Sequence, residues 1–216
     1  MPRTLPAEVQ QRLARTYGID GAPLVDDFIR PADGPAREAL FIREERGELE
    51  MALQLPREAL AVASSFDAVC QLVEGVSHFL YVAERARREL PVTQLELELQ
   101  AEVDKYLLLA HGGIEEEEAP GSPWWPRAAP ARQRGRFDPE RAAWIHACLF
   151  ERVSYMHPAN TEAGERYRVA NDLAARFVRR LEAELSRGKH PLQLIAALRR
   201  FYAAGQAEKI ALALAA

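Results

Sequence analysis

Cysteine is nearly missing from this chain: Cys70 and Cys148 are the two it has in 216 residues. A disulfide scaffold needs more, and their spacing matches no zinc signature. Both are expected as reduced thiols, with a single disulfide as the alternative. No apolar run approaches the roughly 18 residues a membrane span requires. The opening residues, MPRTLPAEVQQRL, contain no apolar signal-peptide core. The expectation is a cytoplasmic protein with no membrane partner. Charge of one sign is not in excess either, with 28 Lys and Arg against 32 Asp and Glu and a net charge of −4. A basic footprint is therefore lacking, and no nucleic-acid partner is expected. Catalytic signatures are equally sparse. The chain has no Gly-x-Ser-x-Gly elbow, no Gly-x-Gly-x-x-Gly or Gly-x4-Gly-Lys phosphate loop, and no His-Glu-x-x-His.

What is present is an ordinary globular composition, 48% hydrophobic and 28% charged. The length predicts a single domain over 1–216. Within it the patterning separates an N-terminal part (1–62), a helical hairpin (63–112), a Pro/Trp/Arg-containing loop (113–137) and a set of C-terminal helices (138–216).

The helical hairpin is the most strongly patterned segment. Ser64 or Ser65 can cap its first helix, and Pro91 stops it. Stepping about 100° per residue, Val69, Leu72, Val73, Val76, Phe79, Leu80 and Ala83 share one face, while Cys70, Glu74, His78, Tyr81 and Arg85 share the other. Thr93-Gln94-Leu95-Glu96 is a capping box that starts the second helix, and Gly112-Gly113 ends it. That helix has apolar flanks on both sides of two polar stripes, Glu98/Glu102/Lys105 and Glu96/Gln100/Asp104. A helix of this kind is covered on more than one side, so one of the stripes is expected to be partly enclosed.

Elsewhere the chain is punctuated as follows. Residues 6–16 predict a short helix ended by Gly18, and Leu24–Ile29 has a weak strand pattern. From Glu38 to Leu55 the period changes: Leu49, Met51, Leu53 and Leu55 alternate with Glu48, Glu50, Ala52 and Gln54, and Gly47 supplies the turn of a β-hairpin. Pro56–Val62 is a short helical connector. Asp138-Pro139-Glu140 starts a helix expected to run to about Tyr155, followed by helices over Glu162–Ser186, Pro191–Ala203 and Ala207–Leu214. The fold class is α+β, predominantly α-helical: an N-terminal antiparallel β-hairpin of two or three strands packed on a bundle of five to six helices.

Two segments are candidates for function. Glu74 and His78 lie one turn apart and can both reach one ion. In an antiparallel hairpin Glu98, Glu102 and Lys105 come level with them. These five are the candidate catalytic residues of a metal-dependent or acid–base enzyme, with Glu74, His78 and Glu102 as the metal set and a divalent ion as the cofactor. The plainer expectation is a solvated i,i+4 pair worth a few tenths of a kcal/mol, because both residues oppose the most apolar face. The second segment is the loop, where Trp124 and Trp125 lie among prolines and ahead of Arg132 and Arg134. Large aromatics and arginine favour partner docking. Together with an apolar tail, Ile210–Ala216, this makes a protein–protein interaction or regulatory component without a cofactor, binding a protein partner or itself, the leading functional expectation.

Overall fold

The computed structural model describes residues 3–61, 65–111, 139–188 and 191–215. The chain enters through helix α1 (Leu5–Tyr17) and a 3-10 turn (Val25–Phe28), and then forms strands β1 (Ile29–Ala32), β2 (Ala39–Glu45) and β3 (Glu48–Pro56). A second 3-10 turn (Arg57–Leu60) leads to α2 (Phe66–Arg87) and α3 (Gln94–His111). Beyond residue 138 come α4 (Pro139–His146), α5 (Glu162–Ser186), α6 (Pro191–Ala203) and α7 (Gln206–Leu214). The fold is α+β and predominantly helical, with its sheet at the N-terminal end.

Capping chemistry sets the helix starts. The Ser65 hydroxyl accepts from the Ala68 N–H at 3.2 Å, and Thr161 accepts from Gly164 at 3.1 Å. The Thr93–Glu96 box closes both ways: the Thr93 N–H donates to the Glu96 carboxylate at 2.7 Å and the Glu96 N–H to the Thr93 hydroxyl at 3.2 Å. Glu89, at φ 55°, turns the chain out of α2 before Pro91.

The hairpin β2–β3 turns at Arg46 and Gly47, both at positive φ, as a two-residue turn requires. The third strand departs from the expected antiparallel arrangement, because β1 pairs parallel to β3 on its other side. The weak strand pattern at Leu24–Ile29 was misplaced. Val25–Phe28 is the 3-10 turn, held by the Gln10 side chain accepting from the Val25 N–H at 2.9 Å, and pairing starts at Ile29. The sheet lies close on α2. A Cβ on Gly75 would stand 3.0 Å from a methyl of Leu53 and 3.0 Å from one of Leu55, so glycine lets the two layers meet at this point.

Helix α2 is the central rod, packed by α1, the sheet and α3, and α3 is packed in turn by α5. Leu72, Val76, Phe79 and Leu80 of α2 join Leu53, Leu55, Leu13, Val103 and Phe177 in one core. The helix expected to reach Tyr155 ends sooner: Ala147–Glu151 widens into a π-turn. The amide of Asn171 donates to the Leu149 carbonyl at 2.9 Å and draws it out of the helical ladder. The apolar tail does not stand free for a partner. Helix α7 packs against α5, α6 and α3, with Lys209 and Ala213 buried. No helix among the described residues is long and apolar enough to cross a membrane, and Cys70 and Cys148 are both free thiols.

Candidate metal centre

The antiparallel hairpin brings the polar stripe of α3 onto α2. Lys105 donates to Glu74 at 3.0 Å and to Glu102 at 2.8 Å. The His78 ring meets Glu98, with Nε2 4.0 Å from a carboxylate oxygen. All five candidate residues thus converge, and the expectation of a solvated Glu74–His78 pair is overturned. Helix α2 has no open face here, because α1, the sheet and α3 pack around it. The side chains of Glu74, Glu98 and His78 keep 11–13% of their surface, so the cluster is enclosed but touches solvent at its edge.

The metal set differs from the one spacing suggested. Ligand atoms of Glu74, His78 and Glu98 all lie within 4.8 Å of one another. Glu102 stands in an ion pair with Lys105 instead. Two atoms on one first-row ion are at most about 4.2 Å apart, at metal–ligand lengths near 2.1 Å. Three ligands cannot all lie opposite one another, and at tetrahedral angles such atoms are about 3.4 Å apart, so binding an ion would draw the ligand atoms together by up to about 1.4 Å from the 4.8 Å they span here.

His78 has one ring nitrogen paired and the other unpaired. Its ring donates to the Leu97 backbone carbonyl, while Nε2 is buried without a hydrogen-bond partner. The donor is therefore Nδ1, and this hydrogen bond fixes the tautomer with the lone pair on Nε2, as it does in protein metal sites. Burial lowers the imidazole's pKa further, against the pull of Glu74, and keeps the ring neutral.

The carboxylates are held in two different states. Burial alone would push Glu74 up, but the Lys105 ammonium outweighs it, and its pKa falls below the ordinary value. Glu98 is pushed up to about 8 by burial and then by the charge on Glu74. Burial also raises Glu102, against Lys105. Lys105 itself, although buried, stays charged: Glu102 and Glu74 hold it well above the usual lysine range.

Several neighbours were not among the residues singled out from the sequence. Glu38, just before β2, faces Glu74 and is pushed up to about 8 by burial and by that charge. One of its oxygens is buried with no hydrogen bond, the nearest cation being Arg37 at 3.8 Å. Gln71, one turn before Glu74, accepts from the Glu38 N–H at 3.3 Å; its place on the 71/74/78 stripe was a usable signal. From α5, Tyr167 hydrogen-bonds to Glu98 and Arg166 lies within electrostatic reach of it. Cys70 is pushed up to about 12 by burial, which rules out an activated thiolate. Arg85 lies away from the cluster: it pairs with Glu96 at 3.5 Å and donates to the Pro91 carbonyl at 2.7 Å. The partner-docking candidates Trp124, Trp125, Arg132 and Arg134 lie outside the described residues.

No protein-family model, curated protein or solved structure matches this chain.

Proposed function

We propose that this protein is a metal-dependent enzyme whose centre is Glu74, His78 and Glu98. The observation that carries the reading is the convergence of three ligand atoms within 4.8 Å, one of them the unpartnered His78 Nε2. One imidazole and two carboxylates suit first-row divalent ions such as manganese, iron or zinc better than calcium. A bound ion would supply Lewis acidity at a position that still touches water. The protein's own part is to orient the ligands. The Leu97 carbonyl sets the His78 tautomer, Tyr167 steadies Glu98, and Lys105 keeps Glu74 ionised. A cytoplasmic location fits the two free thiols.

Titrating metal-stripped protein with manganese, cobalt or zinc tests the reading. One ion per chain is expected, with affinity lowered by at least about 10–100-fold in His78→Ala and Glu98→Gln. A folded protein that takes up none of these ions would falsify it.

A protein–protein role has one observation in its favour within the described residues. Phe66 and Trp144 meet edge-on at 5.6 Å and are both exposed, Trp144 by 52%. Sedimentation of wild type and Trp144→Ser over a range of concentrations tests it for self-association. A mass that is concentration-independent in both removes that form of the reading.

A further inference from the structure

Lys105 stands where a second cation would stand. Its ammonium lies 3.0 Å from an oxygen of Glu74 on α2 and 2.8 Å from an oxygen of Glu102 on α3, linking carboxylates from two helices as a bridged ion does. Helical carboxylate centres that hold two metals use such carboxylates, facing each other across the bundle, to share their ions. Here the carboxylates near Glu74 outnumber what one ion needs, since Glu98 shares the three-atom group with Glu74 and His78 while Glu38 and Glu102 both feel the Glu74 charge. One of the two potential ion positions is filled by a side chain. Lys105 is buried to 8% side-chain exposure, so it cannot swing into water to make room. It also commits one oxygen of Glu74, the Oε2, at 3.0 Å.

Resting on the metal reading above, we infer that Lys105 is a tethered cation that restricts the centre to one metal ion, with Glu102 as the carboxylate that would otherwise bind the second. The ammonium does two things for the centre. It neutralises part of the carboxylate charge without an exchangeable ion, and it repels a second dication from the Glu74–Glu102 gap. Glu102 is thereby a partner of Lys105 and not a ligand, in agreement with its place outside the three-atom group.

Manganese binding to wild type, Lys105→Met and Lys105→Gln tests this, with stoichiometry read by elemental analysis and pairing read by electron paramagnetic resonance. Wild type is expected to hold one ion, with an uncoupled spectrum, even at a hundredfold excess. The variants are expected to hold two, with the signature of an exchange-coupled pair. A variant that unfolds once its ammonium is gone is expected to refold on adding manganese, because an ion then takes the vacated place. Two ions in wild type would overturn the inference, and so would a single ion in both variants or a variant left unfolded by excess manganese. Wild type with one ion and variants with one ion would sink this inference alone. Wild type with none would sink the metal centre as well.

Discussion

On one face of α3, Asp104 accepts hydrogen bonds from Tyr17, Ser77 and Gln100, and Gln100 accepts in turn from the Lys209 ammonium at 2.6 Å. Lys209 also donates to the Phe201 carbonyl at 2.8 Å and lies over the Phe201 ring, 4.3 Å from its centre. Every polar group in that set has a partner. On the opposite face, Glu98 and His78 stand 4.0 Å apart without a bond, and both the His78 Nε2 and one Glu38 oxygen are buried and unbonded. The two networks share a helix, a depth and a residue vocabulary, and they differ in completeness. A saturated network explains itself as structure: it ties α1, α2, α3 and α7 together. Incompleteness alone does not single out the second face, since the Tyr202 hydroxyl beside Tyr17 and Lys209 is also buried and unbonded; the convergence of Glu74, His78 and Glu98 ligand atoms within 4.8 Å is the ground for placing the site there.

The largest expected effect lies on the saturated side. Asp104→Leu strands the Tyr17, Ser77 and Gln100 donors, and each stranded donor costs about 1–3 kcal/mol. A loss of about 3–5 kcal/mol is expected by denaturant unfolding. A loss below 1 kcal/mol would mean that the network is not saturated in the way the geometry shows, and the comparison would collapse.

The pH dependence should separate the faces by sign. Glu98 is raised from 4.5 to about 8, so the folded chain holds a proton that the unfolded chain has released between those values. Its contribution is intact below about pH 4.5 and is lost as the pH rises through 8. Lys209 is lowered from 10.5 to about 7 by burial, against the pull of Asp104, so here the unfolded chain holds the extra proton. Its contribution is present above pH 10.5 and is lost as the pH falls through 7. Each slope is at most about 1.4 kcal/mol per pH unit. Unfolding midpoints across pH 5–10 should show Glu98→Gln removing the first trend and Lys209→Met the second. Variants that both track wild type would show that neither group titrates on folding.

Glu98→Gln should also dissociate stability from binding. The glutamine keeps an acceptor for Tyr167 and removes a charge that burial disfavours. Stability near pH 7 is expected to rise, by up to a few kcal/mol, because the variant no longer takes up a proton on folding, while metal uptake falls sharply. A large destabilisation instead would mark Glu98 as part of the scaffold.

The sequence carried the scaffold well and the site only partly, for reasons visible in particular residues. Ser65, the Thr93–Glu96 box and Thr161 act within one turn of chain, so their spacing alone placed the helix starts. The parallel strand β1 depends on a partner more than twenty residues away and has no local signature. Phase placed Glu98, Glu102 and Lys105 on one stripe, and that stripe is where the cluster forms. Burial was misjudged, because it depends on what covers a face. Glu96, Gln100 and Asp104 are as deeply enclosed as the stripe that faces Glu74.

The smallest expected effect isolates that last point. Asp172 and Arg176 are an i,i+4 pair on α5, just as Glu74 and His78 are on α2, and spacing cannot tell the two pairs apart. Their surroundings can. Asp172 and Arg176 keep 62% and 55% of their side-chain surface and meet at 2.8 Å in water, where screening and side-chain entropy offset most of the attraction. Asp172→Ala is expected to change stability by no more than about 0.5 kcal/mol. Its effect should shrink further in 1 M salt, where charges are screened within about 3 Å. Glu74→Ala leaves the Lys105 ammonium buried with one partner fewer, a change expected to cost several times as much and to respond little to salt. Equal costs for the two substitutions, or equal salt responses, would mean that enclosure does not distinguish these pairs, and the argument from burial to function would lose its footing.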